Sequence, residues 1–187
     1  MLDQIQPYKY KFIQKASPNT GDAFCMSYIF KFFTERSVHT QSLKYIIRVE
    51  QYDNAYALKF YAARDRKDIN KYHRTINIHG YTSTLRLLMT CLAVVPYILS
   101  NINNKASFVV NGANSRDLRN RTEEDTQNNQ RFRIYKGIVL RKISDQIFQH
   151  FYIDETSSFV LVNKQSTQDY DKEFNRLIKI FSDIYDI

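Results

Sequence analysis

An α+β fold is predicted for this chain, an antiparallel sheet of about six to seven strands with a buried central helix and two flanking helices. Three observations predict it. Apolar and polar residues alternate with period two at 8–14, 24–33, 43–52 and 56–63, as half-buried strands do. An apolar stretch beyond Gly80 keeps helical spacing instead. From residue 130 onward a helix, a hairpin and a second helix follow with no linker between them. At 187 residues, 43% hydrophobic and 14% aromatic, the chain suits one globular domain that needs no disulfide or cofactor to complete its core.

The elements follow in order. Tyr8, Tyr10 and Phe12 alternate with Lys9, Lys11 and Ile13, and Pro18-Asn19-Thr20-Gly21-Asp22 is a turn by composition. Phe24, Met26, Tyr28, Phe30 and Phe32 then make its hairpin partner. Leu43–Tyr52 and Tyr56–Ala63 flank Asp53-Asn54-Ala55 as a second hairpin, so the first third reads as a four-stranded meander. Arg64–Arg74 is a charged connector, and Thr75–His79 alternates briefly before Gly80. Thr82 or Ser83 can cap a helix over 82–100 whose apolar residues lie on nearly every side, with Pro96 bending or ending it near Tyr97. Lys105–Val110 is a strand, 114–129 a polar loop, and Gln130–Ile143 a helix with Phe132, Tyr135, Val139 and Ile143 on one side. Ile147–Ile153 and Ser158–Asn163 form a third hairpin, and Gln168 or Asp169 opens a last helix that runs to Tyr185. Helices on one face would leave part of the other face, rich in Tyr and Lys, open.

Composition narrows the function classes. Cys25 and Cys91 make no CxxC or Cys/His spacing, so they read as two buried thiols and not as a zinc site or disulfide. No metal or cofactor is expected. Leu85–Leu99 contains Arg86, Thr90 and Pro96 and falls short of the roughly 20 residues of a membrane span. Met1–Tyr10 lacks a signal-like apolar core, and the expected location is the cytoplasm with no membrane partner. Net charge is +8 and uneven: residues 1–142 hold 23 Lys/Arg against 11 Asp/Glu, or +12, while residues 143–187 hold 4 against 8, or −4. A basic body with an acidic C-terminal part favours a phosphate-bearing or acidic partner for the body.

The basic residues concentrate in one place. Phe108-Val109-Val110 leads through Asn111-Gly112-Ala113-Asn114 to Arg116, Arg119 and Arg121, and then to Arg131, Arg133, Lys136, Arg141 and Lys142, eight cations in 27 residues. Compositional drift toward AT-rich codons favours Lys over Arg, so the arginines carry more weight than the lysines elsewhere. Arg forks hold phosphate bidentately, and aromatic faces such as Phe132 and Tyr135 stack bases at about 1–3 kcal/mol each. Helical spacing offers the plainer reading, in which both aromatics are core and the cations are a solvated helix face. The candidate site is therefore Asn111, Asn114, Arg116, Arg119, Arg121, Arg131, Arg133, Tyr135, Lys136 and Arg141.

Other motifs are weaker. Arg74 and His79 have the R-x4-H spacing of HEPN ribonucleases, but the alternation of residues 75–79 is that of a strand, which does not bring the two to one helix face. Asp117, Glu123, Glu124 and Asp125 read as solvated loop charge, and Gly112 stands alone without a phosphate loop. The order of strand, F-x-x-N-G-A-N, polar loop, Q-R-F-R-I-Y-K, then H-F-Y-I and S-F-V-L-V-N-K, resembles a group of small uncharacterised bacterial proteins in which a G-A-N turn precedes an R-F-R-x-Y helix. The resemblance spans roughly residues 80–165. It implies a shared fold and a place among mobile-element or phage-defence genes, and no activity.

The expected function is a non-enzymatic nucleic-acid-binding or ribonucleoprotein accessory subunit, with single-stranded RNA or DNA as partner. A protein-interaction module of a toxin–antitoxin or defence complex, docking an acidic protein, is the alternative, and a nuclease the second.

Overall fold

The computed structural model describes residues 4–36, 41–74, 80–117 and 122–185. The chain begins with strands β1 (Tyr10–Ala16), β2 (Met26–Phe33), β3 (Lys44–Tyr52) and β4 (Ala55–Ala62). Helices α1 (Tyr81–Leu92) and α2 (Val94–Asn101) lead to strand β5 (Ser107–Asn111) and to a ribbon of β6 (Arg116–Asp117) and β7 (Thr122–Glu123). Helix α3 (Gln130–Lys142), strands β8 (Phe148–Ile153) and β9 (Ser158–Asn163), and helix α4 (Tyr170–Tyr185) complete it. Seven strands form one sheet in the order β1-β2-β3-β4-β5-β9-β8. The architecture is α+β, and the meander of β1 to β4 has the antiparallel register its alternation predicts. Asp53 takes φ 58° in the tight β3–β4 turn, the left-handed value that two-residue hairpins use. The expected piece Thr75–His79 lies outside the described residues.

β4 and β5 are the parallel neighbours, because α1 and α2 carry the chain back across the sheet before β5 begins. These helices correct two expectations. Gly80, with φ 82°, is the N-cap, and its carbonyl accepts from both the amide and the hydroxyl of Thr84; Thr82 and Ser83 already lie in the first turn. The break falls at Ala93 and not near Tyr97. Pro96 has no N–H for the Leu92 carbonyl and its ring crowds that carbonyl, so the helix yields on the N-terminal side of the proline and continues to Asn101. Together Tyr81–Asn101 spans 21 residues and holds an 18-residue window of mean hydropathy 1.5, long and apolar enough to cross a membrane by length and composition, unlike the shorter run expected; 61% of that window is buried in the fold.

The alternation of each strand divides its side chains between two cores. Phe30, Ile47, Phe60, Phe108 and Phe159 face one side and pack with Leu88 and Ile98 of α1 and α2 and with Phe132 and Tyr135 of α3. Val109, Val160 and Val162 face the other side and meet Leu177 and Phe181 of α4. Contrary to the expectation of helices on one face, α4 covers the second face, because β5 and β9 are apolar on both sides and neither can be left in water. What remains uncovered among the described residues is the second face of β1 and β2 and of β3 and β4 away from Tyr52, Ala55 and Ala57, which pack with Leu177 and Phe181 of α4. Cys91 is buried, but Cys25 is exposed just before β2, which corrects the reading of two buried thiols.

Candidate nucleic-acid interface

Register decides which side chains meet on the uncovered face. Lys11 stands opposite Lys31, Lys31 opposite Ile46, and Ile46 opposite Tyr61. A second line runs through Gln14, Ile29, Arg48 and Lys59, and Phe33 faces Lys44. Like charges directly across a strand pair repel, which makes Lys11/Lys31 and Arg48/Lys59 unfavourable by themselves. Glu50 relieves the second pair: its carboxylate lies 3.2 Å from Arg48 Nε and 2.6 Å from Lys59 Nζ, and it accepts from the Tyr52 hydroxyl at 3.0 Å. Burial pulls the Lys59 ammonium below its usual pKa, and Glu50 opposes that shift. Among the described residues no carboxylate lies within ion-pair distance of Lys11 or Lys31.

Aromatic rings complete this face. Tyr61 and Tyr72 meet edge to face at 5.6 Å, and Lys71 Nζ sits 5.1 Å and 5.2 Å from their centroids. Lys59 Nζ is 5.6 Å from the Tyr72 ring. Phe33 is 53% exposed and Ile13 42%, so the face offers apolar surface between its cations. Lys59-Phe60-Tyr61 lies in a strand that alternation predicts and Lys71-Tyr72-His73 in the charged connector, and only the fold brings the two together.

The arginine-rich stretch has a different character. Gly112 presses on the first turn of α3, where a Cβ would sit 2.8 Å from the Phe132 amide nitrogen. Asn129 caps that turn, accepting from the Phe132 amide at 2.9 Å while its own amide donates to the Gly112 carbonyl. Asn111 and Arg131 are thereby brought to the walls of one cavity, together with Tyr135. Arg131 is only 4% exposed, and its guanidinium donates to the carbonyls of Tyr72, at 2.6 Å, and Arg74. Desolvation lowers its pKa, against the opposing pull of Tyr135 and Glu124. Tyr135 is buried and hydrogen-bonded with Cys91, with burial raising both pKa values, so its ring has no face to offer a base.

The remaining predicted site residues are spread out. Asn114 is buried and hands its amide protons to the Glu123 carboxylate at 2.8 Å and the Glu124 carbonyl at 3.3 Å. Its side-chain oxygen faces His73 Nδ1 at 2.7 Å, which assigns the imidazole proton to Nδ1. Arg116 holds Glu123 and Asn70, and this pairing, with Asn114 second, lowers the Glu123 pKa. Glu123 and Glu124 thus tie described loop residues together, Glu124 accepting from the amides of Ser115 and Gln130, where solvated charge was expected. Arg133 donates to the Asn128 carbonyl on the exposed side of α3, Lys136 pairs with Asp154 at 3.5 Å, and Arg141 is exposed in the last turn. Arg119 and Arg121 lie outside the described residues, as does His79; Arg74 pairs with Asp68. The candidates among the described residues do not form one patch.

No family model matches this chain, and neither a curated protein nor a solved structure matches it.

Proposed function

We propose that this protein binds single-stranded nucleic acid without cleaving it, across the uncovered face of β1 to β4, as an accessory subunit of a ribonucleoprotein or defence complex. The observation that carries the reading is the Lys11/Lys31 pair, two lysines opposite each other in register on an open sheet face with no carboxylate within ion-pair distance among the described residues. A sheet tolerates that repulsion at a cost, and a polyanion lying across the strands would turn it into attraction. Lys44, Arg48 and Lys59 extend the positive surface, while Tyr61, Tyr72 and Phe33 supply rings that stack with bases irrespective of sequence. An open sheet carrying aromatic rings is also the general plan of several single-strand platforms, an analogy of architecture alone.

Titration of a labelled single-stranded oligonucleotide at several salt concentrations tests it. Each phosphate neutralised contributes a slope of about −0.7 to log K against log salt, so a steep slope that lessens in Lys11→Ala/Lys31→Ala supports the reading. Absence of binding to RNA and DNA at low salt would refute it. The basic face would then belong to an acidic protein partner.

A further inference from the structure

The parallel pairing of β4 with β5 ends at Leu58 opposite Val110, yet β4 continues to Ala62 while β5 stops at Asn111 and turns away at Gly112. A cleft of about 340 Å³ opens where β5 would have continued. It lies at the carboxyl end of β5 and of the part of β4 that pairs with it, the kind of place where α/β sheets bind ligands, and its size falls within the roughly 300–1,000 Å³ of small-molecule sites. Leu58 and Phe60 line it from the α3 side of the sheet and Val109 from the other, while Lys59, already paired with Glu50 at 2.6 Å, His73 and Arg131 add nitrogen groups, with no carboxylate among the described side chains that line it. Arg131 Nε is a buried N–H with no hydrogen-bond partner among the described residues, although both terminal nitrogens of that guanidinium are held by backbone carbonyls. A buried donor left over on a fixed cation is unfavourable unless an acceptor meets it. Asn111 adds an amide able to donate and accept, and the relay from Glu123 through Asn114 fixes the orientation of the His73 ring.

We infer that this cleft binds a nucleoside phosphate, the phosphate meeting the unpartnered Nε of Arg131 near His73 and the base resting on the apolar lining beside it. An anion with a flat apolar body fits these walls, and Lys59 and Tyr72 belong both to the cleft and to the face proposed to carry the strand. The choice of a nucleoside over other such anions rests on that reading of the face. The ligand is either a free nucleotide or the phosphorylated end of a bound strand, and the chemistry recognised is the same.

Isothermal titration of the protein with the four nucleoside monophosphates, the nucleosides and inorganic phosphate tests the inference, with Ala113→Phe as the variant that fills the cleft from its half-buried rim. Monophosphates are expected to bind at least about tenfold more tightly than nucleosides or inorganic phosphate, and Ala113→Phe to lower that affinity by about tenfold or more. Arg131→Lys, checked for folding by circular dichroism, should weaken the monophosphate and leave the nucleoside alone; if it does not fold, Ala113→Phe decides. Oligonucleotides with and without a terminal phosphate separate the sources. A gain from the terminal phosphate that Ala113→Phe removes identifies a strand end, whereas monophosphate binding without such a gain identifies a free nucleotide. No monophosphate binding, equal binding by Ala113→Phe, or equal binding of inorganic phosphate overturns the inference. Failure of the sheet-face reading would register separately, as absent oligonucleotide binding beside an intact monophosphate titration.

Discussion

One face of the sheet is used in two ways. Over β5, β9 and β8 it carries Val109, Val160, Val162 and Phe151, and α4 covers it with Leu177, Phe181 and the stacked ring of Phe174, 4.4 Å from Phe151. Over β1 to β4 the same face carries Lys11, Lys31, Lys44, Arg48 and Lys59, and α4 reaches only its Tyr52, Ala55 and Ala57 end, while the short turn Lys71–His73 rests Tyr72 against Tyr61. Glu50 sits near the boundary between the two, its side chain 5% exposed, and neutralises part of the charge closest to the covered half. The difference teaches that cover follows composition. A strand apolar on both sides must be sandwiched, while one that alternates apolar and cationic residues needs a helix on one side only and keeps the other for a charged partner.

The largest effect that would break this comparison belongs to the covered half. Phe181→Ala removes a fully buried ring from between α4 and the sheet and should destabilise by about 3–5 kcal/mol in denaturant unfolding. Its folded fraction should keep the salt slope of nucleic-acid binding. A changed slope would mean that the halves are coupled and not independent.

Next in size comes the junction between β5 and α3. Gly112→Ala would drive a methyl group against the Phe132 amide nitrogen, a backbone atom that cannot turn aside, and should cost about 1–3 kcal/mol. Asn129→Ala loses the cap and strands the Gly112 carbonyl in the interior, with a similar expected loss. Thermal unfolding of both variants checks this. A neutral result for both would show that the junction does not need its close approach.

How much of this was legible in the sequence differs by region for physical reasons. The meander was, because period-two alternation reports a strand and its buried face together. Helix α3 was, since Phe132, Tyr135 and Val139 return at helical spacing. The place of α4 could have been read as well: Phe159 to Val162 is apolar on both sides, and such a strand requires two covers. Arg131 could not. Its position one turn before Tyr135 hints at the inner side of the helix, but the carbonyls that accept from it belong to Tyr72 and Arg74, more than fifty residues earlier, and no local pattern announces such partners. The candidate site scattered for the same reason, because counting arginines along a chain does not tell which are used up in holding loops, as Arg116 is by Glu123 and Asn70.

A smaller effect on stability and a clearer one on binding are expected in the open half. Lys11→Ala/Lys31→Ala removes surface charges, so stability should change by no more than about 0.5 kcal/mol per site. Relief of their mutual repulsion makes a slight gain the expected direction. Oligonucleotide affinity should nevertheless fall, and the salt slope should lessen by about 0.7 for each phosphate that is no longer neutralised. Fluorescence anisotropy across a salt series measures both quantities. An unchanged slope would move the binding surface elsewhere and leave the exposed cations of α3 as the next place to look.

The smallest effect concerns acid. His150 stands in edge strand β8, half-buried against the Tyr152 ring at 6.4 Å, with its Nε2 buried and unpartnered among the described residues. Burial lowers its pKa below the ordinary value, helped by Lys164 and opposed by Asp145. The unfolded chain therefore takes up a proton at His150 at a higher pH than the folded chain does. Stability at this position is fully present above the unfolded pKa of about 6.5 and is lost as pH falls from there through the lower folded value. In His150→Leu that dependence should disappear, so its melting temperature should fall less than that of the unmodified protein between neutral and mildly acidic pH. Nucleic-acid binding should not share the difference, because His150 lies on β8, at the opposite edge of the sheet from the Lys11/Lys31 pair. Melting curves that stay parallel across this range would mean that the imidazole remains as accessible to protons in the folded chain as in the unfolded one.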